Sequence, residues 1–111
     1  MTPNVTATAR VPTSSGSKYL QQLCKHWSHT LEVEFTTDHG TVVFPREGRG
    51  GSFPGDGLAT FDAGEGTLTV RIDASTTEQL EALQGVVARH LDRFAFRETA
   101  LAFDWQPSDA A

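Results

Sequence analysis

The stretch LEVEFTTDHGTVVF, Leu31 to Phe44, decides the fold. Leu31, Val33 and Phe35 alternate with Glu32, Glu34 and Thr36. That period of two marks a half-buried strand with an acidic outer face. Thr37-Asp38-His39-Gly40 reads as a hairpin turn in which Gly40 is free to take positive φ. Thr41 to Phe44 returns as the paired strand, and Pro45 ends it. A hairpin with one apolar face needs a second layer to cover that face.

Upstream, Val5, Ala7, Ala9 and Val11 alternate with Thr6, Thr8 and Arg10, which predicts another half-buried strand, ended by Pro12. Leu20, Leu23, Cys24 and Trp27 then fall at i, i+3, i+4 and i+7. This single apolar stripe predicts a helix from about Ser17 to His29, with Tyr19 and His26 flanking the stripe. Downstream, Leu58 to Ala63 and Thr67 to Asp73 make a second hairpin around Gly64-Glu65-Gly66. Ser75-Thr76-Thr77-Glu78 reads as a capping box for a second helix. Leu80, Leu83, Val87, Leu91 and Phe94 supply its buried stripe, with Val86 and His90 at the margin. Leu101, Phe103 and Trp105 alternate as a short final strand.

The expected architecture is an α+β two-layer sandwich in the order β-α-β-β-β-β-α-(β). Two helices cover one face of a mostly antiparallel sheet. The order matches the TATA-binding-protein repeat; a ferredoxin-like sheet with an added hairpin is the alternative. Residues 1–111 are read as one domain. Residues 1–4 and 107–111 are read as disordered tails, and 46–57 as a flexible glycine-rich loop.

Composition narrows the function. No apolar run approaches the roughly 20 residues needed to span a bilayer, so no membrane role is expected. One cysteine gives no internal disulfide, and MTPNVTATARVP lacks the features of a secretion signal, so the expectation is cytoplasmic. A net charge of -5 with nine lysines and arginines opposes nucleic-acid binding. The open sheet face, carrying Glu32, Glu34 and Asp73, also lacks the basic and apolar wedges of a minor-groove reader.

Rare, reactive side chains crowd into Cys24-Lys25-His26-Trp27-Ser28-His29. Helical phase puts Cys24 in the apolar stripe as a small buried hydrophobe, whereas His26 and His29, three apart, can converge. The favoured reading makes His26 a flanking residue and His29 a cation near the helix C-terminus; the alternative makes His26 and His29 the candidate metal ligands. If the helices run antiparallel, His90 lies several turns away from them. A Cys24 nucleophile is disfavoured, because the dipole at a helix C-terminus opposes an anion. Arg93 and Arg97 flank an aromatic cluster of Phe94, Phe96, Phe103 and Trp105, and pairs with Asp92 or Glu98 are the favoured use for them. Arg46 and Arg49 make the glycine-rich loop a candidate anion site, although it lacks the lysine and following helix of a P-loop.

YLQQLCKHWSH, VEF, VVFP and LEALQGVVARHLDRFAFRE, followed by Trp105, run in an order and spacing that resembles the bacterial domain of unknown function 2218 family. The resemblance implies a compact α+β cytoplasmic protein. It also implies a link to iron and siderophore metabolism, because relatives occur joined to flavin-dependent siderophore-interacting reductase domains. The leading functional expectation is a non-catalytic ligand-binding or accessory module, presenting His26, His29, His90, Arg93 and Arg97. A histidine-dependent, metal-assisted enzyme is one alternative. A structural or homodimeric module is the other. The identity of any cofactor is left open by the sequence.

Overall fold

The computed structural model describes residues 5–44, 47–48, 51–52, 55–94 and 105–108. Among the described residues, eight strands and two helices follow one another: β1 (Val5–Pro12), α1 (Gly16–Trp27), β2 (Glu32–Phe35), β3 (His39–Phe44), β4 (Glu47–Gly48), β5 (Gly51–Ser52), β6 (Gly57–Gly64), β7 (Thr67–Ala74), α2 (Thr77–Phe94) and β8 (Gln106–Ser108). Six strands form one sheet in the order β2-β3-β6-β7-β1-β8, and every described pairing is antiparallel. The two helices pack on one face, and the α+β sandwich stands.

Alternation along the strands explains the layers. Ala7, Ala9, Val11, Val42, Ala59, Phe61, Leu68, Val70, Ile72 and Ala74 point at the helices and are buried. The helices answer with Tyr19, Leu20, Leu23, Cys24 and Trp27 from α1 and Leu80, Leu83, Val87 and Leu91 from α2. The positions between them turn to the open face: Thr8, Thr41, Thr60 and Arg71 in one row, Thr6, Glu32, Val43, Leu58 and Asp73 in the next. Thr6 Oγ1 donates to Asp73 Oδ1 at 2.7 Å, and Arg71 Nη2 reaches the same oxygen at 3.2 Å.

Four details differ from the sequence reading. First, α1 stops at Trp27 rather than His29. The Trp27 carbonyl accepts from Thr30 and Leu31, and the Ser28 hydroxyl donates to the Lys25 carbonyl at 2.7 Å, so the chain turns there. Second, Gly40 is not a positive-φ turn residue. It lies in β3 opposite Phe35, where an added Cβ would sit 2.8 Å from Cys24 Sγ. Its missing side chain lets α1 approach the sheet. Among the described residues, the positive-φ glycine is Gly66, at 70° in the β6–β7 turn.

Third, the cap of α2 is shifted by one residue. Thr76 Oγ1 accepts from the Gln79 amide at 3.0 Å, so the capping oxygen is that of Thr76 and not of Ser75, and the return bond of Gln79 goes to the residue before the cap. Gln79 is buried, and its side chain accepts from the Ser75 amide at 2.6 Å and donates to the Gly55 carbonyl at 2.9 Å. Fourth, Gln106–Ser108 pair with β1, although 107–111 read as tail. Pairing there satisfies the backbone groups of β1, and Pro107 is tolerated because β8 is an edge strand. The expected strand at Leu101 to Trp105 falls mostly outside the described residues. Within the glycine-rich segment, β4 and β5 pair as a short two-stranded ladder, so that stretch is not wholly loop.

Candidate functional site

Four aromatic rings meet where the ends of α1 and α2 come together. Trp27 stands edge-on to Phe44 of β3, with centroids 5.1 Å apart, and also meets His90 at 5.0 Å. His26 and His90 lie 5.7 Å apart at an interplanar angle of 43°. Trp27 belongs to the buried stripe, so it holds this corner fixed. His26 beside it is exposed, and His90 is half-buried.

An antiparallel helix pair would put His90 several turns from His26, and the 5.7 Å approach does not fit that arrangement. Antiparallel neighbours follow from short helix connections. Here residues 28–76, including both large hairpins, separate the helices, so nothing in the connection enforces that direction. The structure brings His26 together with His90. His29 lies beyond the last residue of α1 and is exposed.

His90 Nδ1 is 2.7 Å from the Val86 carbonyl. A carbonyl only accepts, so Nδ1 carries the hydrogen, and the lone pair of the neutral ring is on Nε2. A backbone carbonyl holding one ring nitrogen is the usual outer support of a metal-binding histidine. Two imidazoles sharing one ion at about 2 Å from each nitrogen place their centroids about 5 Å apart, close to the observed separation. Among the described residues, no group of three or more histidine, cysteine, aspartate and glutamate side chains is placed to hold a metal ion. The corner therefore offers two ligands at most from this set.

Cys24 takes no part. It is fully buried, and desolvation pushes its thiol from 9.0 up to about 11. A thiol so raised is protonated at neutral pH and is a poor nucleophile. Arg93 is exposed near the end of α2. Among the described residues, no ion pair joins it to Asp92. Arg46, Arg49, Phe96, Arg97, Glu98 and Phe103 lie outside the described residues, and Trp105 packs partly buried against the core.

A second histidine pair escaped the sequence reading. His39 Nδ1 lies 2.6 Å from Asp62 Oδ1, joining the first residue of β3 to its cross-strand partner in β6. Both are about half exposed. Nothing local marks the pair, because 23 positions separate the residues and the β3–β6 register brings them together. His39 also lines an open hollow of about 240 Å³ with Glu34, Phe35, Thr36 and Thr41.

With this geometry in view, comparison with known proteins is direct. The family described as "Uncharacterized protein conserved in bacteria (DUF2218)" matches residues 8–106. The chain belongs to that family. A similar solved structure is the NMR structure of PA4090 from Pseudomonas aeruginosa. It is 30% identical, with 95% of this chain and 98% of that one covered and a TM-score of 0.72. A search of curated proteins gives no match. No helix among the described residues is long and apolar enough to cross a membrane.

Proposed function

We propose that this DUF2218 domain is a non-catalytic accessory module that binds a transition-metal ion weakly at the helix-end corner of His26 and His90. The observation that carries the reading is their 5.7 Å convergence, with His90 Nδ1 held by the Val86 carbonyl. Imidazole suits ferrous iron, zinc, copper and nickel, whereas the oxygen donors of a ferric siderophore leave little room for it. A proposed link to siderophore-interacting reductases would then involve the reduced ion rather than the ferric chelate. Two ligands make a labile site, which suits handing an ion on rather than storing it. His29 and Arg93 are both exposed, and in this reading they serve partner docking.

Calorimetric titration of the full chain with ferrous iron under anaerobic conditions, and with zinc and nickel, tests this. Weak binding, with a dissociation constant in the micromolar to millimolar range, is expected. His26→Ala and His90→Ala should each weaken it at least ten-fold, and His29→Ala should not. Equal affinity in wild type and in the His26→Ala/His90→Ala double variant refutes the site.

A further inference from the structure

The edge strand β2 is a second surface with a distinct chemistry. It lies at one end of the six-stranded order and has no described neighbour beyond it. The Thr36 amide bonds the His39 carbonyl at 2.7 Å, which closes the hairpin and fixes its parity. Stepping by two along the register, Glu34 with Thr41 and Glu32 with Val43 form the hydrogen-bonded pairs. The amides and carbonyls of Val33 and Phe35 therefore point outward from the sheet edge.

Side chains set the character of that edge. Glu32 and Glu34 are exposed on the open face. Phe35, on the other face, is 39% exposed and is the exposed large hydrophobic residue of the described set. Where β2 ends, the hollow of Glu34, Phe35, Thr36, His39 and Thr41 adds a carboxylate and two hydroxyls beside an aromatic ring.

We infer that β2 accepts an extended segment of a partner protein as a seventh strand, one that alternates lysine or arginine with apolar residues. Strand addition supplies main-chain bonds to Val33 and Phe35, while alternate side chains supply specificity. Basic residues two apart would face Glu32 and Glu34, and the apolar residues between them would lie toward Val33 and Phe35. A further basic head group fits the hollow beside Glu34. A second copy of this chain is a poor occupant. Two-fold antiparallel pairing centred on Val33 sets Glu32 of one copy against Glu34 of the other, and like charges directly opposite are unfavourable. The net charge of -5 favours the same kind of partner.

The test uses the full chain, labelled with nitrogen-15, and two capped hexapeptides. One alternates lysine or arginine with valine, and the other alternates glutamate with valine. The basic peptide should shift the amides of β2 and slow hydrogen exchange at Val33 and Phe35 at least ten-fold. Its affinity should fall with added salt, and Glu32→Lys/Glu34→Lys should weaken it at least ten-fold. Both glutamates are exposed, so that variant should fold, which its spectrum verifies directly. Equal binding of the two peptides, absence of protection at Val33 and Phe35, or self-association through β2 without peptide would each overturn the inference.

Discussion

Replacing Gly40 by alanine tests whether the approach of α1 to the sheet is set by the missing side chain. The new Cβ would stand 2.8 Å from Cys24 Sγ, 3.3 Å from Phe35 Cβ and 3.6 Å from Leu20 Cγ. The sulfur contact is too short to persist, and Cys24 is fully buried, so something must shift. Overpacking of this kind costs about 1–3 kcal/mol. Exchanging glycine for alanine in a strand returns about 0.5–1 kcal/mol of backbone entropy. The expected net loss for Gly40→Ala is about 1–2 kcal/mol. Cys24→Ala removes one buried heavy atom and should cost about 1 kcal/mol. In the double variant, the methyl at position 40 occupies space the sulfur has left. The double should therefore be no less stable than the weaker single variant, a coupling of about 1 kcal/mol or more. Urea unfolding followed by Trp27 and Trp105 fluorescence measures all four proteins. Thermal midpoints should move by roughly 4 °C per kcal/mol for a domain of this size. Gly40→Ala at wild-type stability, or strict additivity in the double, refutes the packing argument.

Further outcomes follow from burial. The folded Cys24 thiol is raised to about 11 from 9.0, so the unfolded state ionises first as pH rises. Its contribution is complete below pH 9 and is lost on the way to about pH 11, an effect of roughly 2–3 kcal/mol. Comparing urea midpoints at pH 8 and pH 10.5 should show a smaller drop in Cys24→Ala than in wild type, and equal drops would contradict the burial account. Gln79→Leu strands the partly buried Ser75 amide and removes one of the two donors to the Gly55 carbonyl, the other being the Ser75 hydroxyl, and should cost roughly 1–3 kcal/mol by urea unfolding. Gln79→Glu keeps the acceptor, loses the donor, and should fall between; a loss under about 1 kcal/mol in Gln79→Leu would show the cap to be dispensable.

The layers were legible in the sequence because their signal is periodic and local. Leu20, Leu23, Cys24 and Trp27 announce one helical face, and Val5 to Val11 and Thr67 to Asp73 announce two strands with one apolar face each. Cys24 could be assigned to the core from phase alone, and its burial agrees. Details resting on tertiary context were not legible. Gly40 reads as a turn glycine, yet the thiol of a helix 16 positions earlier determines its role. The Thr76 and Gln79 cap competes in sequence with an equally good box one residue earlier, and only the carbonyl of Gly55 decides between them. His26 and His90 belong to helices joined through most of the sheet, so their meeting depends on how those helices cross it. His39 and Asp62 depend on strand register in the same way.

The placement of β1 between β7 and β8 governs how the protein is made. Val5 pairs with Ala74 and Thr6 with Ser108, so the strand nearest the N-terminus waits on partners tens of residues later. On a ribosome, the β2–β3 and β6–β7 hairpins and α1 can form while β1 still has an open edge on each side. Loop closure over such separations is slow, and an unpaired strand rich in valine and alanine is prone to wrong partners meanwhile. Threonines at alternate positions of β1 temper that hazard by keeping one face polar until α2 has packed and β8 has added the last rung.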